Sequence, residues 1–415
     1  ALVACGLCWG QSWAAEESVL PEVRVVGGRV QEVQEKYPDL HPDHELNPYR
    51  VAPSSRLSVQ TFSAEEIASI RPVDVFDLLN HAVGVLSLHQ GRKVPYSVRI
   101  RGDLYFAYIV DGVYIPSESA GRILQNLPVG LIEQMDVVRD ATALTLAPMV
   151  DFGRPSGAPN DGYIVIRTRR PLKTDASVTL KAERFATTSQ QLYAGTASDA
   201  FYVSAFGAQH ETDGRPDAHM ARQSGAGMVR VGHTGERLRA ELSWFSDRTR
   251  QQIQAADPKL STLGQQRWRI DPIDTSFAAL NLSMQWDARH TTTLTWSENR
   301  LSATMVADTV ISGVEPRVFP NEESIRNIDI KHTWRQDDTL IRLGGQRMRW
   351  STPTGASYYE GYPRDERITG AFLTVEQGLL DRTVVVDAAM RRDQQHVIRG
   401  VDHYHAYQML FQQPN

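Results

Sequence analysis

Residues 162–171 read Gly162-Tyr163-Ile164-Val165-Ile166-Arg167-Thr168-Arg169-Arg170-Pro171, and the chain changes character where they end. Before them, residues 55–161 mix short helical and short strand-like segments. After Pro171 come strands of alternating polarity, separated in turn by short turns and long connections. A compact α+β unit over 55–171 and an antiparallel strand array over 172–415 are therefore predicted as distinct parts.

In the array, Leu238, Ala240, Leu242 and Trp244 share one face, with Arg237, Arg239, Glu241 and Ser243 opposite. Ala278, Leu280, Leu282, Met284 and Trp286 likewise oppose Asn281, Ser283, Gln285 and Asp287, and Ile328 and Ile330 oppose Asn327, Asp329 and Lys331. Charged inner faces fit a transmembrane β-barrel with a polar lumen better than a sandwich, whose inner face is apolar. Short turns fall near 198–200, 233–236, 288–290, 336–338 and 380–382. Longer connections fall near 211–222, 249–272, 302–322, 351–365 and 395–403. Such alternation is the asymmetry of outer-membrane barrels. Trp286 and Trp334 precede short turns while Trp244 and Trp350 precede long ones, which predicts aromatics at both membrane interfaces. A solenoid or a soluble all-β protein is the alternative, although no fixed internal repeat is present.

Within 55–171, residues 57–61 alternate as a strand. Ser63-Ala64-Glu65-Glu66 forms a capping box that opens a helix to about residue 70, and Pro72 opens a second through Leu78-Leu79. Strands are predicted at 84–88, 98–101, 105–110, 113–115, 135–139 and 163–168, with Asp111-Gly112 as a hairpin turn. A unit of about 115 residues can fold alone.

In this order the pieces resemble the plug domain of TonB-dependent outer-membrane receptors. They are Leu78-Leu79 with Val83-Gly84-Val85, Ile100-Arg101-Gly102, Asp111-Gly112-Val113, Ile132-Glu133 with Met135-Asp136-Val137-Val138-Arg139, and the closing 162–168 stretch. The chain departs from the family pattern at Arg139-Asp140-Ala141, where Arg-Gly-Pro is usual, at Asp161-Gly162, where a Gly pair is usual, and in the short link from Gly102 to Tyr105. The resemblance implies a plug inside an antiparallel transmembrane β-barrel. The chain is expected to hold about twelve of roughly 22 strands, and so to be a fragment.

The resemblance also implies residue roles. The β-prone island Pro21, Glu22, Val23, Arg24, Val25, Val26 and Gly27 is similar to the TonB box, which the inner-membrane TonB complex engages; its alternative is a terminal plug strand. Arg101 and Arg139 match arginines that form plug–barrel ion pairs, a role suited to a planar guanidinium, with solvated strand arginines as the alternative. The plug apex implied for ligand binding comprises Arg92, Lys93 and Tyr96 before one strand and Ser117, Glu118 and Arg122 after the hairpin. Arg92 and Lys93 favour an anionic ligand such as a ferric siderophore, because cations in a narrow lumen focus negative charge; solvated loop charges are the other reading. The function implied is TonB-dependent import of a scarce solute by plug gating, by a monomer in outer-membrane lipid. Cobalamin, haem and glycan are further importable ligands. A non-transporting surface adhesin and a degenerate receptor fragment are the competing readings.

Residues 1–15 are apolar and end in small residues, which reads as the tail of a secretory signal; a lipoprotein box at Leu2-Val3-Ala4-Cys5 or an exposed strand are alternatives. Residues 16–54 then hold the TonB box and a polar, Pro-rich segment that predicts an extended linker. Lys and Arg total 44 against 49 Asp and Glu, and no basic run interleaves with aromatics, so no nucleic-acid partner is expected. No apolar run reaches the ~18 residues of a transmembrane helix. The two cysteines, Cys5 and Cys8, both lie in the signal-like stretch. No nucleophile elbow, HExxH or P-loop is present, so neither an enzyme nor a cofactor is expected. His41, Asp43 and His44, and later His396, Asp402, His403 and His405, have metal-ligand chemistry but read equally as ordinary linker, loop or strand residues.

Overall fold

The computed structural model describes residues 28–399, except 42–43, 45, 57, 90–95, 140–142, 150–151, 153–160, 217, 255–265, 310–312, 314 and 355–362. The signal-like residues and the stretch Pro21 to Gly27 expected to be a TonB box lie outside the described residues, as do Arg92, Lys93, Asp43, Asp402, His403 and His405.

The plug is built on a five-stranded sheet: β1 (Val59–Ser63), β4 (Phe106–Val110), β5 (Val113–Pro116), β6 (Ile132–Val138) and β7 (Gly162–Thr168), in the order β1-β6-β7-β4-β5. The β4/β7 pair is parallel. A separate hairpin joins β2 (Val85–His89) to β3 (Tyr96–Ile100). The capping box forms as read: Ser63 N donates to Glu66 Oε2 at 2.8 Å and Glu66 N to Ser63 Oγ at 3.3 Å, opening helix α3 (Ala64–Ile70). Helix α4 (Val75–Leu79) starts three residues later than Pro72, because the Asp74 carboxylate accepts the Asp77 N–H at 2.8 Å and so fixes the first turn. Asp111 and Gly112 have φ of 48° and 96°, the two left-handed residues that a two-residue hairpin requires between Val110 and Val113.

Eleven strands follow in one antiparallel sheet, each hydrogen-bonded to its sequence neighbours. They are β8 (Asp175–Glu183), β9 (Thr187–Ala197), β10 (Phe201–Thr212), β11 (Arg222–Thr234), β12 (Leu238–Ile253), β13 (Gln266–Gln285), β14 (His290–Thr309), β15 (Arg317–Gln336), β16 (Thr339–Thr352), β17 (Arg364–Leu379) and β18 (Val384–Arg399). Strands β8 and β18 are the edges of this sheet. All five predicted short turns fall between strands. The strands themselves run further than expected. β13, β14 and β15 have 20 residues each, about twice the length that spans a bilayer, and so shorten the connections read at 249–272 and 302–322.

The faces sort as the alternation predicts. Leu242, Trp244, Trp286, Ile328 and Ile330 are exposed, while Glu241, Ser243, Asn327, Asp329 and Lys331 are buried on the inner face. The inner face is not polar throughout. Towards the long-loop end Phe245, Phe277, Ile273, Leu301 and Met305 join one apolar core with the plug helices and strands. Trp350, expected at a membrane interface, is 3% exposed and stacks inward on Phe152 of the plug at 5.8 Å.

The segment read as an extended linker is ordered against both parts. Helix α1 (Gly28–Lys36) and a 3-10 turn (Pro38–Leu40) are followed by chain that runs across the inner face to helix α2 (Pro53–Arg56). Val33, Tyr37 and Leu40 are buried against Tyr202, and this apolar triplet is why the segment is not solvated. Helix α5 (Ser117–Ile123) was not foreseen. It begins directly after Pro116, where the sequence suggested an apical loop.

Candidate functional site: the plug–sheet seam and an outer cavity

Charged groups join the plug to the sheet at the short-turn end. The Asp111 carboxylate accepts the Thr168 backbone N–H at 3.0 Å, the Thr168 hydroxyl at 2.6 Å and Arg230 Nη2 of β11 at 2.6 Å. Arg230 is 1% exposed and also donates to the carbonyls of Thr168 and Arg169. Glu241 of β12 collects Arg170 Nε at 2.6 Å, the Tyr202 hydroxyl at 2.5 Å and Arg230 Nε at 3.4 Å. Arg170 Nη1 in turn pairs with Asp39 at 2.6 Å. Charge-assisted bonds of this kind, shielded from water, are strong and geometrically specific.

The N-terminal segment extends this seam across the sheet. Tyr37 donates its hydroxyl to the Pro171 carbonyl at 2.6 Å, and burial pushes its phenol well above the usual range, so it remains a donor. Lys331 Nζ donates to the Pro48 carbonyl at 3.0 Å, and Arg342 to the carbonyls of Asn47 and Arg50 at 2.8 and 3.1 Å. Arg50 pairs with Glu376 of β17 at 2.6 Å, both side chains nearly inaccessible.

At the long-loop end a cavity of about 200 Å³ opens between the plug and strands β10 to β12. Its plug wall is Tyr96, stacked on Phe76 at 4.1 Å and donating to Asp74 Oδ2 at 2.5 Å, with His89 edge-on to it at 5.2 Å. Burial, then the Asp74 carboxylate, raises the Tyr96 phenol above its usual range. Burial lowers the His89 imidazole, against the opposing pull of Asp74 and with a smaller push from Arg222. Gln125 and Arg222 complete the inner side. Arg222 Nη2 donates to Asn126 Oδ1, and Asn126 donates to Asp247 Oδ1 at 2.6 Å, which ties the plug to β12.

The residues implied by resemblance are placed unequally. Tyr96 lines the cavity. Ser117 donates its hydroxyl to the Leu104 carbonyl at 3.1 Å, and the side chain of Glu118 lies outside the described residues. Arg122 is 5% exposed and acts electrostatically on Glu323 of β15, to which Ser119 also donates at 2.7 Å. Arg101 is exposed, with a left-handed backbone at φ 53°. Arg139 donates to Gln60 of the plug edge strand β1, its pKa lowered by burial and then by the nearby charge of Arg101. Among the described residues neither arginine reaches a carboxylate of the sheet. Among the described residues the ion pairs that cross the seam include Arg230–Asp111, Arg170–Glu241, Arg169–Asp175 and Arg50–Glu376 instead. Asn126 and Arg222 carried no signal in the sequence, since each acquires its role from a contact some 100 residues away, and Gln125 stands out only by its burial. Among the described residues no three His, Cys, Asp or Glu side chains converge as metal ligands.

Comparison with known proteins identifies residues 53–148 as a TonB-dependent receptor plug domain. Solved structures share the wider fold. The pyoverdine outer membrane receptor FpvA of Pseudomonas aeruginosa superposes with a TM-score of 0.65 at 11% identity, over 83% of this chain and 57% of that one. The siderophore receptor PirA of Acinetobacter baumannii gives 0.61 at 14% identity, over 82% and 57%. The copper transporter OprC gives 0.62 at 13% identity, over 83% and 58%. The chain thus spans little more than half the length of these proteins. No curated sequence matches it significantly.

Proposed function

We propose that this chain, a TonB-dependent receptor plug domain followed by strands arranged as in the barrel of such receptors, is part of an outer-membrane transporter for a scarce chelate, first of all a ferric siderophore. The reading is carried by one observation. The outer cavity and the N-terminal segment lie at opposite ends of the same plug, the cavity at the long-loop end and the segment at the short-turn end. In a barrel with periplasmic short turns, a solute captured outside is then separated from the pulled end of the chain by the plug itself.

On this reading residues 1–15 are a signal tail and Pro21 to Gly27 the TonB box. Residues 16–54 lead into a plug over 55–171, and 172–415 begin the barrel. The chemistry is binding and gating, with no covalent step. An anionic chelate suits the cationic apex residues Arg92 and Lys93, and the similarity to siderophore receptors supports that class over cobalamin, haem or glycan. The energy-coupling partner is the inner-membrane TonB complex, which binds residues 21–27, and the receptor works as a monomer in outer-membrane lipid.

Deleting residues 21–27 in the receptor expressed from its whole gene is expected to abolish uptake of labelled ferric siderophore while sparing its binding to the cell surface. Uptake at the undiminished rate would rule the reading out.

A further inference from the structure

Resting on the importer reading, we infer that the outer cavity is a specificity pocket for one planar, carboxylate-bearing aromatic arm of the imported solute, received by Arg222 and Gln125. Arg222 supplies the charge. Its Nε is shielded from water and has no hydrogen-bond partner, while Nη2 is held by Asn126. Among the described residues no carboxylate lies within ion-pair reach of it. The acidic groups whose charge it feels, Asp247 and Asp74, are already engaged, the first by Asn126 and Thr249, the second by Tyr96 and the Asp77 N–H. Neighbouring cations are matched differently: Arg250 pairs with Asp271 at 3.1 Å and Arg269 with Asp308 at 3.8 Å. A guanidinium held in place without its counter-ion is a fork set for an incoming carboxylate.

Gln125 is an independent sign. It is 5% exposed, and both its amide oxygen and its amide nitrogen lack a partner. Burying an amide without hydrogen bonds is unfavourable, and Gln125, which lines the cavity, would relieve that cost by turning its amide to a ligand there. The described residues that line the cavity include Arg222, His89, His210 and several glutamines, and none carries a carboxylate. No described residue of the wall therefore repels an anion, and the Tyr96 ring, with His89 edge-on to it at 78°, gives an aromatic corner. Size sets the rest. A closed cavity of roughly 150 Å³ holds a benzene molecule. One of about 200 Å³ then takes a ring with one carboxylate and leaves the bulk of a chelate outside.

The test uses benzoate and its neutral isostere benzamide as probes of the detergent-solubilised receptor, with affinities read by ligand-observed NMR titration. Benzoate is expected to bind about tenfold more tightly than benzamide. Arg222→Gln should erase that difference, and Arg222→Lys should keep part of it. Equal binding of the two probes to the unaltered receptor overturns the inference, as does benzoate binding unchanged by Arg222→Gln in a variant that melts normally. If Arg222→Gln does not fold, the comparison of probes on the unaltered receptor decides alone. The two readings fail separately. Uptake that needs residues 21–27 together with no preference for benzoate leaves the importer and removes the pocket. Uptake independent of residues 21–27 removes the importer whatever benzoate does.

Discussion

Glu241 concentrates the electrostatics of the seam on one side chain. Replacing it with Ala leaves Arg170 and Arg230 buried without their shared carboxylate. The expected loss is about 3–5 kcal/mol, because an uncompensated buried charge keeps its desolvation cost. Denaturant unfolding followed by Trp fluorescence measures it, and a loss below about 1 kcal/mol would show that Asp111 and Asp39 suffice for both cations. His89 yields a pH prediction. Its pKa in the folded protein lies below the unfolded value near 6.5, so the folded state prefers the neutral ring. Stability is therefore full above about pH 6.5 and falls as pH drops through the folded pKa, where the unfolded chain binds the proton first. Melting temperatures at pH 7.5 and 5.5 should differ less in His89→Asn than in the unaltered protein. At this scale the sequence revealed kinds of residue and not partners. Asp111 was readable as a turn former and Glu241 as inward-facing, but their common bond to Arg230 joins positions up to 119 residues apart.

The elements show where local chemistry suffices. The capping box of α3 and the Asp111-Gly112 turn were legible because each involves groups within three residues. Helix α4 began late because an Asp side chain, and not the proline, caps it. Helix α5 has a weak local signal because Ser117, Ser119 and Gly121 favour caps and turns, and its stability comes from Ile123 and Ala120 in the plug core. Gly112 couples an element to the sheet. A Cβ there would lie 2.8 Å from Thr295 Cγ2 and 3.0 Å from Asn281 Oδ1, at a φ of +96°. Gly112→Ala should therefore cost about 1–2 kcal/mol from the backbone alone, and more from the displaced strands. The same unfolding assay reads it. A companion Thr295→Ser change, which removes the offending methyl, should recover part of the loss.

For the whole molecule, parity carried most of the information. Alternating short and long connections carry the antiparallel order, and alternating polarity along each strand carries the inward faces. What parity leaves open is the filling of the lumen. The apolar patch of Phe245, Phe277 and Leu301 looks like any strand interior until the plug is laid on it. The linker-like composition of residues 30–54 likewise conceals a segment that touches strands from β10 to β17. That segment also sets an order of assembly. Its Arg50–Glu376 pair closes a loop of 326 residues, whereas every strand pair in the sheet is a neighbour in the chain. Long loops are the costliest to close, so strands can zip one after another while this latch waits for β17 to arrive. A segment made before any strand of the sheet is thus among the last to find its place, and a protein stalled in insertion would carry it loose.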